Sequence, residues 1–413
     1  MHTLFMTKNF PQRICGVGDY AYRFAEQLAS SGESVSVLTE PADVPRRIPF
    51  GLCELPLRGW RDIRPVRRAV AEIAPDRVLL EYSASAWGRR GAPLWVNELL
   101  FQLRRRGIPV HVGLHELALS IREHPLHTPF ILAQWLHIAL IIAAAKSVAV
   151  NMRSRAALLE RLFPWWSEKI RYRPNSSTIP VVPVSAAERD AFRRERRVSS
   201  GEFVVATFGL FHPAKNYEGL IAAIAEVRKS VPAKLWMLGD LAAASPEYIA
   251  RLRSAAREAG IAESVWWPGR LDAAAVSRAL QATHVFALPQ PDGHLTRSSA
   301  FMAAAAHGLP VVAVRARRSH DQAEFAHREN VWLAVRSTAE DLSAGILAIA
   351  ADSSMAARMG QNLRELYTGR FDWKIASAGS RSAESPAMNS VGGDAPAQSS
   401  AVAAAAHTEG AEL

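Results

Sequence analysis

Cysteine is nearly missing from this 413-residue chain. Cys15 and Cys53 are too few for a disulfide framework or a cysteine-rich zinc site, and they suit a reducing cytoplasm. The opening segment, MHTLFMTKNF, has no basic stretch, apolar core or cleavage site of a secretory signal. Long apolar runs are lacking too. The longest, residues 130–145, carries Gln134 and His137 and is too short for a bilayer span, so it is expected to form a buried helix. Acidic residues are in deficit: 39 Asp and Glu face 49 Lys and Arg, a net charge of +10. Residues 1–180 hold 24 Lys and Arg against 15 Asp and Glu, so nearly all the excess lies there. Its clusters are Arg46-Arg47, Arg67-Arg68, Arg89-Arg90 and Arg104-Arg105-Arg106. They read either as solvated faces or as a surface for anionic lipid or a phosphate-linked acceptor, peripheral to a membrane. Nucleic acid is not expected, because no base-stacking aromatics or reading motif accompany the arginines.

A hydrophobic fraction of 49% and this length allow two ordinary cores. Through the first half, HTLFMT, SVSVLTE, RVLLEY, PVHVGLHE and SVAVNM read as buried strands with helical stretches between them. The second half repeats the pattern with FVVATFG, AKLWMLG, SVWWPG, HVFALP and PVVAV, and residues 339–368 read as one further helix. Strand–helix alternation predicts α/β architecture with two doubly wound, Rossmann-like domains facing across a cleft. The expected division is a first domain over 1–180, a linker over 181–201 and a second domain over 202–375. The Ala/Ser/Gly-rich stretch 376–413 is expected to be a disordered tail, since it has little apolar surface to offset ordering entropy.

Open sheets of this kind bind ligands beyond the carboxyl ends of their strands, and the candidates fall there. Gly16-Val17-Gly18-Asp19-Tyr20 is placed in a loop before the first helix, where glycines and a helix N-terminus suit a phosphate. A glycine needed only for backbone geometry is the competing reading. Glu40, ending the next strand, invites a nicotinamide-cofactor reading, but the third glycine of that fingerprint is missing. Gly209 ends a second-half strand, and Lys215-Asn216 opens the following helix; a lysine there suits a diphosphate, or is merely solvated. Asp292, Gly293, Arg297, Ser298 and Ser299 precede an Ala-rich helix, where hydroxyls, amides and a guanidinium can hold phosphate oxygens. His115-Glu116 closes a first-half strand without the second histidine of a zinc-protease motif. His115 could bond a sugar hydroxyl or a developing charge, or simply pack.

Taken in order over about residues 8–375, these pieces resemble the family 4, or group 1, glycosyltransferases of the GT-B fold. The segments are FPQRICGVGDYAYRFAEQLASSGESVSVLT, TFGLFHPAKNYEGLIAAI, LWMLGD, WWPGRL, HVFALP and AAAAHGLPVVAV. The resemblance implies a retaining, metal-independent hexosyltransferase that moves a sugar from a nucleoside diphosphate sugar to a hydroxyl on a glycan or lipid-linked acceptor. Cell-surface polysaccharide or glycolipid synthesis is the expected setting, with no resident cofactor or metal. Residue by residue, it makes Lys215 the phosphate cation and His115 the contact to the donor sugar. Gly16, Gly18, Gly209, Asn216, Asp292, Gly293, Arg297, Ser298 and Ser299 complete the donor side, and Asp19, Tyr82 and Glu116 are acceptor-side candidates. A subgroup with an Asp-Gly loop and arginine is the nearer likeness, because the paired glutamates of most members are replaced by Leu295 and Ala303. Leu210 stands where an arginine often follows the strand glycine. Asn175 and Ser176 match a subgroup loop with no assigned role. The altered residues leave a second reading open, an inactive binding partner that kept the fold.

Overall fold

The computed structural model describes residues 1–11, 15–42, 48–88, 91–118 and 125–381. Arg46-Arg47, Arg89-Arg90 and the expected tail beyond Arg381 lie outside the described residues. Among the described residues the strands form two sheets, and every strand pair in them is parallel. The first contains β1 (His2–Thr7), β2 (Ser34–Thr39), β3 (Gly51–Glu54), β4 (Arg77–Tyr82), β5 (Val110–Leu114), β6 (Ser147–Val150) and β7 (Ile170–Tyr172). Their order is β3-β2-β1-β4-β5-β6-β7. The second contains β8 (Phe203–Phe208), β9 (Ala233–Leu238), β10 (Val265–Trp266), β11 (Val285–Leu288), β12 (Val311–Val314) and β13 (Trp332–Ala334), in the order β10-β9-β8-β11-β12-β13.

Helices fill the connections. In the first half they are α1 (Gly16–Ser30), α2 (Ile63–Ile73), α3 (Ala84–Trp87), α4 (Leu94–Arg105), α5 (Thr128–Ala144) and α6 (Arg153–Leu162). The second half adds α7 (Ala186–Glu195), α8 (Tyr217–Arg228), α9 (Pro246–Glu258), α10 (Ala273–Gln281) and α11 (Ser299–Ala306). It ends with α12 (Ala339–Ala351), α13 (Ser353–Leu366) and α14 (Trp373–Arg381). Because side chains alternate across a strand, each sheet feeds two cores. Leu4 and Met6 enter one core of the first domain while Phe5 enters the other. Val204 and Ala206 against Val205 do the same in the second.

Several expectations are corrected. Strands β3, β7 and β13 were not expected: each is an edge strand of three or four residues, too short to show a period. The helix expected over 339–368 is broken at Asp352, which leaves helical geometry and accepts the Met355 N–H at 2.8 Å to start α13. Helix α5 is not wholly buried. Its polar Gln134 and His137 point inward, and Leu132 and Leu136 are 57% and 58% exposed.

The expected linker holds α7, whose Ser185 cap and Glu188 bond reciprocally. Phe192 packs on Trp236 and Trp266, so α7 belongs to the second domain. The chain then returns. A wide turn, Tyr367–Phe371, leads from α13 to α14, which runs past the expected tail start at residue 376 and lies on α1 of the first domain. Trp373 anchors it, its ring 4.9 Å from Tyr20 and 5.8 Å from Phe24, and its Nε1–H donates to Ser177 O at 2.6 Å. Trp373→Ala removes this apolar contact and should destabilise the first domain by about 2 kcal/mol, measured as a lower denaturation midpoint. An unchanged midpoint would show that α14 is not a structural tie.

Candidate functional site

Both sheets turn their carboxyl ends toward one cleft enclosing about 1060 Å³, ample for a nucleotide and an attached group. Its walls carry residues that follow β1, β4 and β5 on one side and β8, β9 and β11 on the other, as expected where strand order reverses. Gly16, Asp19, His115 and Glu116 line the first-domain wall, and Gly209, Lys215, Arg297, Ser298 and Ser299 line the second. Tyr82, Asn216, Asp292, Gly293 and Gly18 do not line it.

The glycine segment is not a loop before α1 but the helix's own first turn. Cys15 is extended, and its carbonyl accepts the Asp19 N–H at 2.9 Å. The two glycines differ. A Cβ at Gly16 would meet nothing, whereas at Gly18 it would come 2.8 Å from Asn9 O. Gly16 therefore leaves the helix N-terminus open to the cleft, and Gly18 serves packing. Glu40 is buried, accepting the Leu57 N–H and pairing with Lys8, so it is not presented to a ribose.

Tyr82 is the clearest correction. Its ring packs beside Trp87 and its hydroxyl meets His137 Nε2 at 2.8 Å, so it faces the core rather than an acceptor. Asn216 is likewise structural. At φ 54° it caps α8, accepting the Gly219 N–H and donating Nδ2–H to Ser337 O at 2.6 Å.

Gly209, at φ 127°, lets Lys215 come close: a Cβ there would sit 3.0 Å from Lys215 Nζ. Lys215 has no ion-pair partner among the described residues. Burial, then the Arg297 charge, pushes its ammonium down to about 8, with Asp292 only partly offsetting them. Arg297 is held at 2.6 Å by Asp292, which also accepts from Gln290 and the His294 N–H. Burial would raise the Asp292 carboxyl, but the His294 hydrogen bonds and the Arg297 charge keep it far below the usual carboxylate range. Ser298 caps α11 by accepting the Phe301 N–H at 3.2 Å, leaving Ser299 at the mouth of that helix. Thus Asp292 and Gly293, at φ 62°, shape the loop while Arg297, Ser298 and Ser299 face the cleft. Leu295 and Ala303 are fully buried, so neither place offers a carboxylate to a ligand.

Across the cleft, His115 Nε2 lies 2.7 Å from Glu81 Oε2, leaving Nδ1 as the other ring nitrogen. Burial would raise Glu81, but Arg173 and His115 outweigh it and bring its carboxyl to about 2. Glu116 is engaged by Ser83 and Ser85. Asp19 opens on the cleft near Arg23 and Arg270, yet desolvation by the enclosing walls pushes its carboxyl up to about 6.

Sequence reading missed three arginines. Arg23 and Arg270 line the cleft, and Arg155 donates to His115 O at 2.8 Å. Isolated arginines in helices and turns carry no motif, so only the fold could gather them. The structure also supplies a role for Asn175-Ser176. The Asn175 N–H donates to Thr296 O and its Nδ2–H to Arg297 O, at 2.8 and 2.7 Å, and Ser176 Oγ donates to Phe371 O. This loop fastens the arginine loop to the crossing between domains.

Inorganic pyrophosphate should bind beside Lys215. Bound anion raises the Lys215 pKa, so affinity is full below about pH 8 and falls as pH rises through that value. Calorimetry from pH 7 to 9.5 measures this, with Lys215→Arg expected to flatten the decline. Because pyrophosphate also titrates in this range, the wild type is read against Lys215→Arg, and a wild-type profile parallel to that of the variant would count against the assignment.

Residues 188–366 match the family model described as glycosyl transferases group 1. A search of curated proteins finds no match. Among solved structures, sucrose-phosphate synthase from Thermosynechococcus elongatus is similar, at 19% identity over 92% of this chain and 97% of that one, TM-score 0.69. Anabaena Alr3699/HepE in complex with UDP and glucose gives 19% over 93% and 99%, TM-score 0.69. A glycosyltransferase from Rickettsia africae gives 11% over 94% and 99%, TM-score 0.70. At these identities the likeness is one of fold. The protein has the GT-B fold, and its second domain carries the match to glycosyl transferases group 1.

Proposed function

We propose that the protein is a retaining glycosyltransferase that takes a sugar from a nucleoside diphosphate sugar without a metal ion. The observation that carries the reading is the unpaired Lys215 ammonium beside Arg297 and the mouth of α11, all on one wall of the cleft. Asp292 balances only one of the two cations, so the half-buried Lys215 charge stays uncompensated until an anion joins it, and a diphosphate answers that cost. In the transfer, the bond from the anomeric carbon to the diphosphate oxygen breaks, the acceptor oxygen bonds that carbon from the same face, and Lys215, Arg297 and the α11 amides take up the departing charge. His115, held through Nε2 by Glu81, lines the opposite wall, and Nδ1 is the ring nitrogen left for the sugar. The departing phosphate takes the acceptor's proton, so no separate base is required. The acceptor is a hydroxyl on a glycan or lipid-linked saccharide in cytoplasmic assembly of a cell-surface polysaccharide or glycolipid. Asp19, Arg23 and Glu116 stand on its side.

UDP is bound in Anabaena Alr3699/HepE, so UDP, GDP, ADP and their sugar conjugates are the probes. A second reading, an inactive protein of this fold, is favoured by the burial of Leu295 and Ala303. Lys215→Ala should weaken binding of the preferred nucleotide about 10- to 100-fold, the loss of one charge-assisted contact. Calorimetry and sugar-release assays on wild type and variant test this. Nucleotide binding with no transfer to any acceptor extract would support the inactive reading, and unchanged affinity in Lys215→Ala would overturn the donor site.

A further inference from the structure

Helix α5 is apolar on its outer face as well as its inner one, where Ile131, Ile138, Ile141 and Ile142 are buried. Its polar residues, Gln134 and His137, are 8% and 0% exposed, and His137 is held by Asn97 and Tyr82. Its outer side is apolar: Leu132 and Leu136 are more than half exposed, and Leu126, just ahead of the helix, is 93% exposed. Trp165, on the turn packed against α5, is also 65% exposed. No Asp, Glu, Lys or Arg occurs from residue 128 to 145. A contiguous apolar strip of this kind marks an interaction surface rather than ordinary scattered exposure.

The rim of the strip selects its occupant. At the carboxyl end of α5, Lys169 donates to Ile142 O and Ala143 O, and Arg104 donates to Ala143 O. Lys146, which follows the helix, acts on Lys169 together with Arg104 and Glu168, and Arg105 and Arg106 follow Arg104 in the chain; Arg105, Arg106 and Lys146 are exposed. We propose that this strip and its cationic end form a docking surface for a bilayer with anionic headgroups. Leucines and a tryptophan beside Lys and Arg match hydrocarbon under a negative headgroup layer. No helix of the described residues is long and apolar enough to cross a membrane, so the strip lies on the surface.

The placement has a consequence for the cleft. Helix α5 is the crossover that follows β5, and β5 ends at the cleft beside His115 and Glu116. The amino end of the strip, at Leu126, therefore lies toward the cleft side of the first sheet, and the cations lie toward the far side. A docked molecule holds its first-domain cleft rim near the headgroups, where a lipid-carried acceptor would stand. The docking surface itself does not depend on the transferase reading.

The test is flotation of the full chain with phosphatidylcholine vesicles, with and without phosphatidylglycerol, at low and high salt. Wild type should bind the anionic vesicles, more weakly at high salt. Leu132→Glu/Leu136→Glu and, separately, Arg105→Glu/Lys146→Glu should each cut binding by about tenfold or more, with unchanged melting temperature because all four side chains are exposed. Three results would overturn the proposal: no binding of wild type at low salt, undiminished binding of the leucine variant, or a dimer that the leucine variant dissociates, since a second copy would then be the occupant.

Discussion

The cleft depends on one short loop. Asn175 to Ser177 follows the last strand of the first sheet, yet its hydrogen bonds go to Thr296, Arg297, Tyr367 and Phe371 of the second half of the chain. Trp373 closes the arrangement by donating back to Ser177 O. The two crossings between domains are thus bonded to each other, and one of them holds the backbone of the arginine that faces the cleft. Further contacts lie beside them: Thr296 Oγ1 donates to Asn151 O, the Ser154 N–H donates to Asp321, and Arg153 pairs with Glu324. The backbone of the Arg297 loop is therefore tied directly to the segment that leaves the first sheet.

Charge in and behind the cleft walls is arranged by pairing some groups and leaving others unmatched. Glu81 is saturated by Arg173 and His115, Glu116 by serines, and Asp292 by Arg297 and the His294 loop. Each of these carboxylates stays ionised because hydrogen bonds and cations outweigh burial. Lys215 and Asp19 are the opposite case, since burial shifts each toward its neutral form. They lie on facing walls, and perturbed groups with capacity for a ligand gather at functional sites.

The fold was largely legible because buried parallel strands write continuous apolar runs between helical stretches. RVLLEY and FVVATFG are such runs, and both lie where they were expected. The place of Gly209, Lys215, Arg297 and His115 at the cleft was legible for a related reason: a cleft at the carboxyl ends of strands is lined by residues at countable positions after each run. Tyr82 misled because it satisfies that count, but the alternation of β4 turns it into the core. Asn216 misled because a residue next to a cleft lysine can be the cap that places it.

The sequence by itself determined the two repeated α/β units, the surplus of basic residues in the first half and the placing of Lys215, Arg297 and His115 at the cleft, since local periodicity and strand-end position encode them. Only the tertiary structure decided which glycine faces the cleft, how α14 returns to the first domain, and that Asn175 holds the arginine loop. It also decided that α5 hides its polar residues and shows its leucines. Those outcomes turn on contacts between segments far apart in the chain, where the same side chain can cap, pack or face solvent depending on what the fold brings against it.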